Sequence, residues 1–540
     1  MKKFIGILLS VITAFSVFGM IGCGDNTDPD NPKTPTIEVD KNKTQIIFNF
    51  YNGGHGSDWV TNAAIEWNKT NDKYQIITAP DKEEWYSIKS KLESGTCSYD
   101  IIHNTPTEAE YARGYLEDLS DVWNATAKGE DVAIKTKFKN PEAAEAAFGY
   151  NGGHFAIPCF DTFSGFVYDH ELFRDNKFLI GADGQLIKKS TDKLSAGRDG
   201  IEGTVDDGQP VNMAQYELMI GKIKSSGYST YLWTGKFGYY LDPMFWSIFF
   251  DYEGKTNSET FLAASGEYTN RATNEKKTIT ADNANEIFDM TGYKKTLDFI
   301  DDYVCDPTLY NAEGAKYGTS HTDAQKYFVY GNAFDGNGSF SKVAFLYEGN
   351  WWEREAIANF NSLAGRGMDD YKYGTRDYRY MIPPALDENA ASDEIPLVGF
   401  STEPVCVKKQ TDPEKRAAIV DFLRFFYTDA QIKKTMADSN GCLAFNVDLT
   451  DEDNAKFTRF TRNVYDLYYS DKTYVVSLKY PSGKFPKFVT TDDKTKADAR
   501  TSQPVAQMLR GAGITTNGDA DKVFADTKTY YAAHKSDLIG

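Results

Sequence analysis

The sequence predicts an α/β protein with at least two folded lobes, the first built on a parallel sheet flanked by helices. In the first half of the chain, β-rich runs alternate with helical patterns, and this spacing is typical of a parallel sheet. The chain has 540 residues, of which 41% are apolar and 25% are charged. This length suggests more than one hydrophobic core, and the composition excludes a disordered chain.

The prediction of a parallel sheet rests on the pattern of residues 45–103. Three β-rich runs are separated there by two segments whose apolar residues recur at helical spacing. The first of these segments places Val60, Ala63 and Trp67 on one face. The predicted order is strand 45–51, a helix before residue 70, strand 74–79, a helix that includes Trp85 and ends before Gly95, and strand 99–103.

Beyond residue 150 the predicted elements are shorter, and an insertion interrupts them. Strands at 154–160 and 165–168 are separated by residues 161–164, a crossover between the lobes. Residues 176–210 form the insertion because Gly, Asp, Lys and Ser dominate them. The remaining predictions are helices at 211–226, 240–250, 293–305 and 413–428, strands at 343–347 and 395–400, and mostly helical structure from Asp451.

The N-terminus has the pattern of a targeting segment. Two lysines precede an uncharged, mostly apolar run, and the sequence MIGC at 20–23 resembles the bacterial lipobox. We predict a lipoprotein signal peptide at 1–22, a lipid on Cys23, and a tether at 23–44 whose first part is polar and rich in proline. The protein would then be extracytoplasmic and anchored to the cell membrane by this lipid. An uncleaved membrane anchor with an unrelated cysteine is the alternative.

The chain is acidic and its cysteines are scattered. The formal net charge is −19, and it becomes −21 without residues 1–22, which contain two lysines and no acid. Nucleic acid is therefore a poor partner, because its phosphates require clustered Lys and Arg. The five cysteines after Cys23 include no CxxC pair, so neither a disulfide framework nor a zinc site is predicted.

The sequence contains no motif typical of a familiar enzyme. It lacks GxSxG, HExxH, a P-loop, and a GxGxxG that follows a strand. The six histidines are far apart, and His55 and His103 are the better ligand candidates because each follows a predicted strand. Carboxylates are plentiful, so a glycosidase acid–base pair stays open, although no pair stands out.

One loop of the insertion carries residues suited to a cation. Residues 199–208 contain four acids and three glycines, and tight turns of this kind can bring hard oxygen ligands together around calcium. The spacing differs from that of an EF-hand. We predict Asp199, Asp206 and Asp207 as ligands of a structural calcium ion, with a solvated acidic turn as the alternative. No cofactor is required.

Aromatic residues make up 14% of the chain, and several stand at the ends of predicted elements. Trp351 and Trp352 follow a strand, and Trp233, Tyr239 and Tyr240 lie close together. Such rings stack on the apolar face of a sugar, while neighbouring Asn, Asp, Glu and His side chains hydrogen-bond its hydroxyls. Core packing is the alternative interpretation of each ring.

Several segments, in their order along the chain, resemble a known family. They are IIFNFYNGGHGSDWVTNAAIEWNK at 46–69, YDII at 99–102, GHFAIP at 153–158, GFVYD at 165–169, FLYEGNW at 345–351 and IVDFLRFF at 419–426. They resemble the extracellular solute-binding proteins (family 1) of bacterial ABC carbohydrate importers, of the lipoprotein type. The resemblance covers most of residues 45–450.

The resemblance implies a two-lobed, periplasmic-binding-protein-like fold of type II. Each lobe is a sheet flanked by helices, and a hinge joins the lobes. Carried over to this chain, lobe 1 comprises 45–162 and 398–448, and lobe 2 comprises 163–397 and 449–540. The insertion at 176–210 and the long C-terminal tail depart from simpler members of the family.

The resemblance also implies a binding protein and not an enzyme, which captures an oligosaccharide and delivers it to the permease subunits of an ABC importer. A surface glycan-active hydrolase and a glycan-binding adhesin without a transport role stay open as alternatives. Trp351 corresponds to the stacking tryptophan of the family. The predicted ligand-binding residues are Asn52, His55, Trp85, His103, Asn104, Asp161, Trp233, Tyr239, Tyr240, Glu348, Trp351 and Trp352.

Overall fold

The structure is a computed structural model that describes most of the chain after the predicted signal peptide. Cys23, the predicted lipid attachment residue, lies outside the described residues, as do the signal peptide and the first part of the tether. The side chains of Trp85 and Tyr239 also lie outside them. The described residues are 35–81, 85–106, 114–391, 394–399, 402–477, 508–510 and 518–539.

The described residues contain strands throughout the body of the protein. The strands are β1 Thr44–Tyr51, β2 Tyr74–Asp81, β3 Ile101–His103, β4 Gly149–Tyr150, β5 Gly153–His154, β6 Ile157–Asp161, β7 Ser164–Asp169, β8 Ser229–Leu232, β9 Gly266–Thr269, β10 Lys276–Ile279, β11 Val343–Gly349, β12 Tyr378–Met381, β13 Ile395–Gly399, β14 Thr402–Val407 and β15 Thr473–Ser477.

Helices connect and flank these strands. The α-helices are α1 Asp58–Asn68, α2 Trp85–Glu93, α3 Ser120–Asn124, α4 Pro141–Phe148, α5 His170–Asn176, α6 Met213–Ser225, α7 Asp242–Ala263, α8 Thr291–Phe299, α9 His321–Ala333, α10 Trp352–Glu355, α11 Ile357–Ala364, α12 Pro413–Phe426, α13 Asp429–Ser439, α14 Asp451–Asn454, α15 Arg459–Tyr468, α16 Ala520–Ala533 and α17 Ser536–Ile539. None of the helices in the described residues is long and apolar enough to cross a membrane.

The first sheet has five strands in the order β2-β1-β3-β14-β6. Strands β1, β2 and β3 are parallel, as the alternating pattern predicts. Strand β14 is antiparallel to both of its neighbours and is absent from the sequence prediction. Its pairing shifts between Glu403 and Pro404, and a proline at such an irregularity removes a ladder donor and obscures the strand pattern.

The second sheet has four strands in the order β12-β7-β11-β8. The chain passes from the first sheet to the second between Asp161 and Ser164. It re-enters the first sheet at β14, after β13, which pairs with β15 in a separate two-stranded sheet. The residues from Thr36 onward form one compact unit. The exact lobe boundaries proposed from the sequence therefore stay a prediction.

Two hydrophobic clusters cover opposite faces of the second sheet. Val167 and Leu346 belong to the cluster that also fills the five-stranded sheet, whereas Phe166 and Phe345 belong to the other. Successive side chains of a strand point to opposite faces, so each strand of this sheet supplies both clusters. Both faces of the second sheet are therefore covered.

Two further segments differ from the sequence prediction. Residues predicted as mostly helical from Asp451 include a strand, β15, which pairs in parallel with β13. Its sequence TYVVS is rich in β-branched residues, which favour a strand. Helix α7 extends well beyond the predicted 240–250, and it continues through Gly254, whose φ of 78° marks a kink.

Candidate functional site

The candidate site lies where the segment after β1 meets the segment after β11. A Cβ atom placed on Gly54 would lie 2.1 Å from Cδ1 of Trp351, and one placed on Gly349 would lie 2.3 Å from its Cη2. The indole therefore rests directly on the backbone of both glycines, an approach that only glycine allows. Trp351 itself is half-buried, so part of this residue stays open to solvent.

An ion pair joins the same two segments. Nη2 of Arg354 lies 2.5 Å from Oδ2 of Asp58, and Asp58 begins helix α1 directly after the glycine-containing turn. A carboxylate in the first turn of a helix also interacts favourably with the helix dipole. Trp351 and Arg354 thus contact the β1–α1 segment at two points.

A buried hydrogen-bond network lies behind Trp351. Nε2 of Gln325 donates to Oε1 of Glu348 at 3.2 Å and to Oε2 of Glu355 at 2.7 Å. The other carboxylate oxygen of Glu348 accepts the backbone N–H of Gly349 at 3.0 Å. Burial, together with the neighbouring Glu355, raises the pKa of Glu348 to about 8. The N–H groups of Gly349 and Gln325 oppose this shift, because they favour the carboxylate.

Aromatic rings extend this part of the site. The ring of Tyr240 lies 6.5 Å from that of Trp351 in an edge-on arrangement, and it stacks on His321 with the planes 12° apart. Phe237 approaches His321 at 5.5 Å between centroids. Nε2 of His321 lies 3.3 Å from Oε1 of Glu355. The aromatic group is thus connected to the acidic network through His321.

His55 and His103 lie at the carboxyl end of the five-stranded sheet, packed among rings. His55 stacks on Phe160 at 4.2 Å, and His103 meets Phe160 and Trp59 edge-on. Both imidazoles are at least nine-tenths buried. Among the described residues, their ring nitrogens have no hydrogen-bond partner.

Burial determines the charge state of these two histidines. It lowers the pKa of His55 to about 4, against a smaller opposing effect of Glu355. Burial and the nearby His55 lower the pKa of His103 to about 3, although Glu403 lies 3.7 Å from its Nε2. Both rings are therefore neutral at physiological pH.

The remaining polar residues of the predicted site have different environments. Asn52 is exposed just after β1, and Asn104 directly follows β3, where its Oδ1 accepts the N–H of Thr105 at 2.9 Å. Asp161 is buried at the crossover and accepts a hydrogen bond from the hydroxyl of Tyr468 at 2.6 Å. In this conformation the carboxylate of Asp161 therefore binds Tyr468 at the crossover.

Two of the predicted aromatic residues are core residues. Trp352 has no exposed surface and packs against Phe328 and Tyr378. Trp233 is 1% exposed and packs against Tyr310. Neither ring can present a face to a ligand here, so we do not include Trp233 and Trp352 in the proposed site.

Sequence reasoning missed Gln325, His321, Glu355, Arg354 and Asp58. Gln325 and His321 belong to α9, a helix absent from the sequence prediction. Its N-terminus carries a reciprocal capping box between Ser320 and residue 323, and the S-x-x-D spacing could have revealed it. No local signal shows that α9 packs against β11.

The acidic loop uses its carboxylates within the loop. Oδ2 of Asp206 accepts the N–H groups of Arg198 and Asp199, at 2.6 and 3.0 Å. Asp207 accepts the N–H of Gly203 at 2.8 Å, and Asp199 accepts that of Ile201 at 2.7 Å. Within the described part of the chain, no three His, Cys, Asp or Glu side chains converge as a metal site. Asp199, Asp206 and Asp207 stay predicted ligands of a structural calcium ion.

A cavity of about 150 Å³ lies beside this loop, between it and the residues of α15 and β15. Asp199 and Asp206 line it from the loop, and Asp466 and Lys472 line it from the other side. Trp351 does not line this cavity. It is therefore separate from the candidate site.

Comparison with known proteins identifies the fold. No protein-family model matches the sequence, and no curated protein matches it either. RafE from Streptococcus pneumoniae, solved in its apo form, is 14% identical with a TM-score of 0.55, over 92% of this chain and 100% of its own. RafE in complex with raffinose matches with a TM-score of 0.53, 14% identity, and coverage of 91% and 100%. The chain has the solute-binding-protein fold.

Two other solute-binding structures agree with this assignment. A cyclic alpha-maltosyl-1,6-maltose binding protein from Arthrobacter globiformis is 14% identical with a TM-score of 0.53, over 92% of this chain and 99% of its own. A probable secreted solute-binding lipoprotein from Streptomyces coelicolor is 11% identical with a TM-score of 0.54, over 91% and 100%. The mixed α/β fold expected from the sequence is thereby confirmed.

Proposed function

We propose that this protein is the lipid-anchored, extracytoplasmic solute-binding component of an ABC importer, that it captures an oligosaccharide, and that it delivers the oligosaccharide to the permease. The observation that carries the proposal is the position of Trp351. Its half-buried ring lies between Gly54 and Gly349, where the segments after β1 and β11 meet. In open α/β folds, ligands bind outside the carboxyl ends of the strands.

The chemistry around Trp351 suits a neutral carbohydrate. Trp351 offers aromatic surface for the apolar face of a sugar ring, and Glu355, Asn52 and Asn104 offer groups that bond hydroxyls. Tyr240, which is 8% exposed, packs beside Trp351. The net charge of −19 disfavours an anionic ligand. Trp351, Glu355, Asn52 and Asn104 are the residues to which we assign ligand contacts.

Binding by this fold requires the two contacting segments to move apart and close again. We propose that the ion pair between Arg354 and Asp58, and the contact of Trp351 with Gly54, belong to the closed form. A ligand that contacts both segments would favour that form by its differential affinity.

The comparisons support the ligand class and the location. Raffinose and cyclic alpha-maltosyl-1,6-maltose are the sugars named for two of the similar structures, and a third is described as a secreted lipoprotein. The lipobox at 20–23 is the reason for proposing that this chain is anchored through a lipid on Cys23.

A thermal-shift panel of oligosaccharides tests ligand capture. Raffinose, maltotetraose, xylotetraose and chitotetraose are suitable probes, and chromatography of the same samples after several hours detects cleavage. We expect at least one sugar to raise the melting temperature without any product, because ligand binds only the folded state. Product formation would favour the glycan-active hydrolase, and no stabilisation by any sugar would contradict oligosaccharide capture.

Anchoring and transport need separate measurements. In the native host, a labelled fatty acid should be incorporated into the protein and lost in Cys23→Ala, whereas the control Cys97→Ala, at a buried cysteine, should keep the label. Deletion of the gene should abolish uptake of the sugar that binds. Unchanged uptake would favour the adhesin without a transport role.

A further inference from the structure

Tyr51, the last residue of β1, is an exposed aromatic residue beside the candidate site. It is 45% exposed. Among the aromatic residues whose burial the structure describes, Tyr51 and Tyr317 are the exposed ones. Single exposed rings occur on most protein surfaces and need no explanation by themselves. What distinguishes Tyr51 is its position relative to Trp351.

The rings of Tyr51 and Trp351 rest on consecutive residues of one turn. A Cβ atom placed on Gly53 would lie 2.7 Å from Cε1 of Tyr51 and 2.9 Å from its Cδ1. A Cβ atom placed on Gly54 would lie 2.1 Å from Cδ1 of Trp351. The Cα atoms of consecutive residues are only about 3.8 Å apart. The two rings are therefore neighbours on one stretch of backbone, one supplied by the end of β1 and the other by the segment after β11.

Backbone hydrogen bonds hold the turn that carries the ring of Tyr51. The N–H of Gly53 donates to the carbonyl of Tyr51 at 3.1 Å, and the N–H of Gly56 donates to the carbonyl of Gly53 at 3.0 Å. The N–H of Asn52 donates to the carbonyl of Asp81 at 2.6 Å. Because the backbone is already held in this way, a ligand that stacks on the ring has little main chain to order.

Polar side chains lie beside Tyr51 at the same end of the sheet. Asp81 is the partner of Tyr51 in the parallel pairing of β1 with β2. Its Oδ2 accepts Nδ2 of Asn49 at 2.6 Å and the hydroxyl of Tyr99 at 2.8 Å, which fix the carboxylate. Asn52 follows directly and is exposed. An aromatic ring with a carboxylate and an amide beside it suits a sugar unit, whose apolar face meets the ring while its hydroxyls meet the polar groups.

We propose that Tyr51 stacks on a second sugar unit of the oligosaccharide, next to the unit that Trp351 binds, and that this second subsite makes the protein prefer ligands of two or more units over monosaccharides. The occupant is the continuation of the same glycan, because the two rings lie on consecutive residues. The proposal rests on the proposed function and deepens it by assigning a further binding residue and a chain-length preference.

Calorimetry with sugars of increasing length tests the second subsite. The probes are glucose to maltotetraose, xylose to xylotetraose, N-acetylglucosamine to chitotetraose, and galactose, melibiose and raffinose, with weak monosaccharides measured by competition. In the wild type, affinity should rise about tenfold or more from one unit to two. Tyr51→Ala should bind the disaccharide about tenfold more weakly, as loss of a stacking ring predicts, and should keep the wild-type affinity for the monosaccharide.

Two results would overturn the proposal. The first is a wild type that binds the monosaccharide as tightly as the disaccharide. The second is a Tyr51→Ala variant whose affinity for the disaccharide is unchanged. Trp351→Ala gives the contrasting pattern, because loss of the first ring should weaken the binding of the monosaccharide as well.

Tyr51→Phe and Tyr530→Ala are the controls. Tyr51→Phe keeps the ring and should bind the whole series as the wild type does, and a loss equal to that of Tyr51→Ala would contradict stacking. Tyr530→Ala removes a half-buried ring that stacks on His534, at 4.1 Å between centroids, and should leave every affinity unchanged. Because Tyr51 is exposed, Tyr51→Ala should also keep the melting temperature of the wild type, so its weaker binding reflects the lost ring.

The same titrations separate failure of this proposal from failure of the proposed function. If the wild type binds a sugar of the series and Tyr51→Ala binds it equally well, the second subsite fails and oligosaccharide capture stands. If the wild type binds none of the sugars, oligosaccharide capture fails and the second subsite fails with it.

Discussion

Two sheets meet at the candidate site, and titratable groups are buried at the end of each. The surroundings of these groups differ between the two ends. At the end of the five-stranded sheet, His55 and His103 are packed against rings, and their ring nitrogens have no hydrogen-bond partner in the part of the chain that the structure describes. At the end of the four-stranded sheet, Glu348 and Glu355 share the amide of Gln325. The histidine end behaves as an apolar surface that is sensitive to acid, whereas the acidic end is a polar network joined by hydrogen bonds.

The largest expected effect concerns the support of the acidic end. Trp352, which begins α10, is fully buried against Phe328, Tyr378 and Phe460. We expect Trp352→Ala to lower the free energy of unfolding by about 3–5 kcal/mol, because it leaves a large cavity. Urea denaturation measures this change.

Trp351→Ala is the control for that substitution. Trp351 is half-buried, so its truncation leaves a smaller cavity. The free energy of unfolding should therefore fall clearly less than in Trp352→Ala. Equal losses in the two variants would show that Trp351 is also a core residue.

The histidine end should lose stability in acid. The pKa values of His55 and His103 in the folded protein are about 4 and about 3, below the unfolded value of about 6.5. The unfolded chain therefore binds these protons first, and their contribution to stability, full above pH 6.5, is lost as the pH falls. We expect a loss of about 2 kcal/mol for each ring by pH 5.

Phenylalanine substitutions isolate this effect. His55→Phe and His103→Phe keep an aromatic ring but cannot titrate, so each should reduce the loss between pH 6.5 and pH 5, measured by urea denaturation. His534→Gln, at an exposed position, is the control. An acid dependence that persists in the double phenylalanine variant would assign it to other groups.

Ligand affinity is the next effect in size. We expect Trp351→Ala to weaken binding of the sugar by about 1–3 kcal/mol, which is the usual loss for an aromatic anchor. Calorimetry measures the change, and Trp233→Phe, a substitution in the core, should leave affinity unchanged. If Trp351→Ala binds as tightly as the wild type, the tryptophan lies outside the ligand site.

The smallest expected effect is that of calcium on the acidic loop. The carboxylates of Asp199, Asp206 and Asp207 already accept backbone N–H groups, so a chelator should leave the melting temperature unchanged. Asp206→Asn should lower it, because two N–H groups lose a charged acceptor. A fall in melting temperature on chelation would support the calcium ligands predicted from the sequence.

Sequence patterns predicted those parts of the molecule that depend on short repeats. The apolar face of α1, with Val60, Ala63 and Trp67, is buried as its helical spacing indicates. The sequence pattern did not predict strand β14, because Pro404 interrupts its hydrogen-bond ladder. The crossover between the sheets at Asp161–Ser164 could be located from two short β-rich runs.

The candidate site was predictable only in part. Trp351 and Glu348 adjoin the end of a strand, so their neighbourhood could be inferred from the chain itself. Gln325 and His321 reach the site because α9 packs against β11, a non-local contact that no spacing encodes. The adjacent Trp351 and Trp352 differ in burial because they point in different directions from the start of α10, and only the packing shows which faces the core.

The bare backbone of Gly54 has a practical consequence. Since the indole of Trp351 occupies the space of its absent side chain, one added methyl group would act as a wedge between the two segments. Gly54→Ala would then keep them apart without altering any charge or ring. Such a variant would supply the separated conformation for structural work in the absence of ligand.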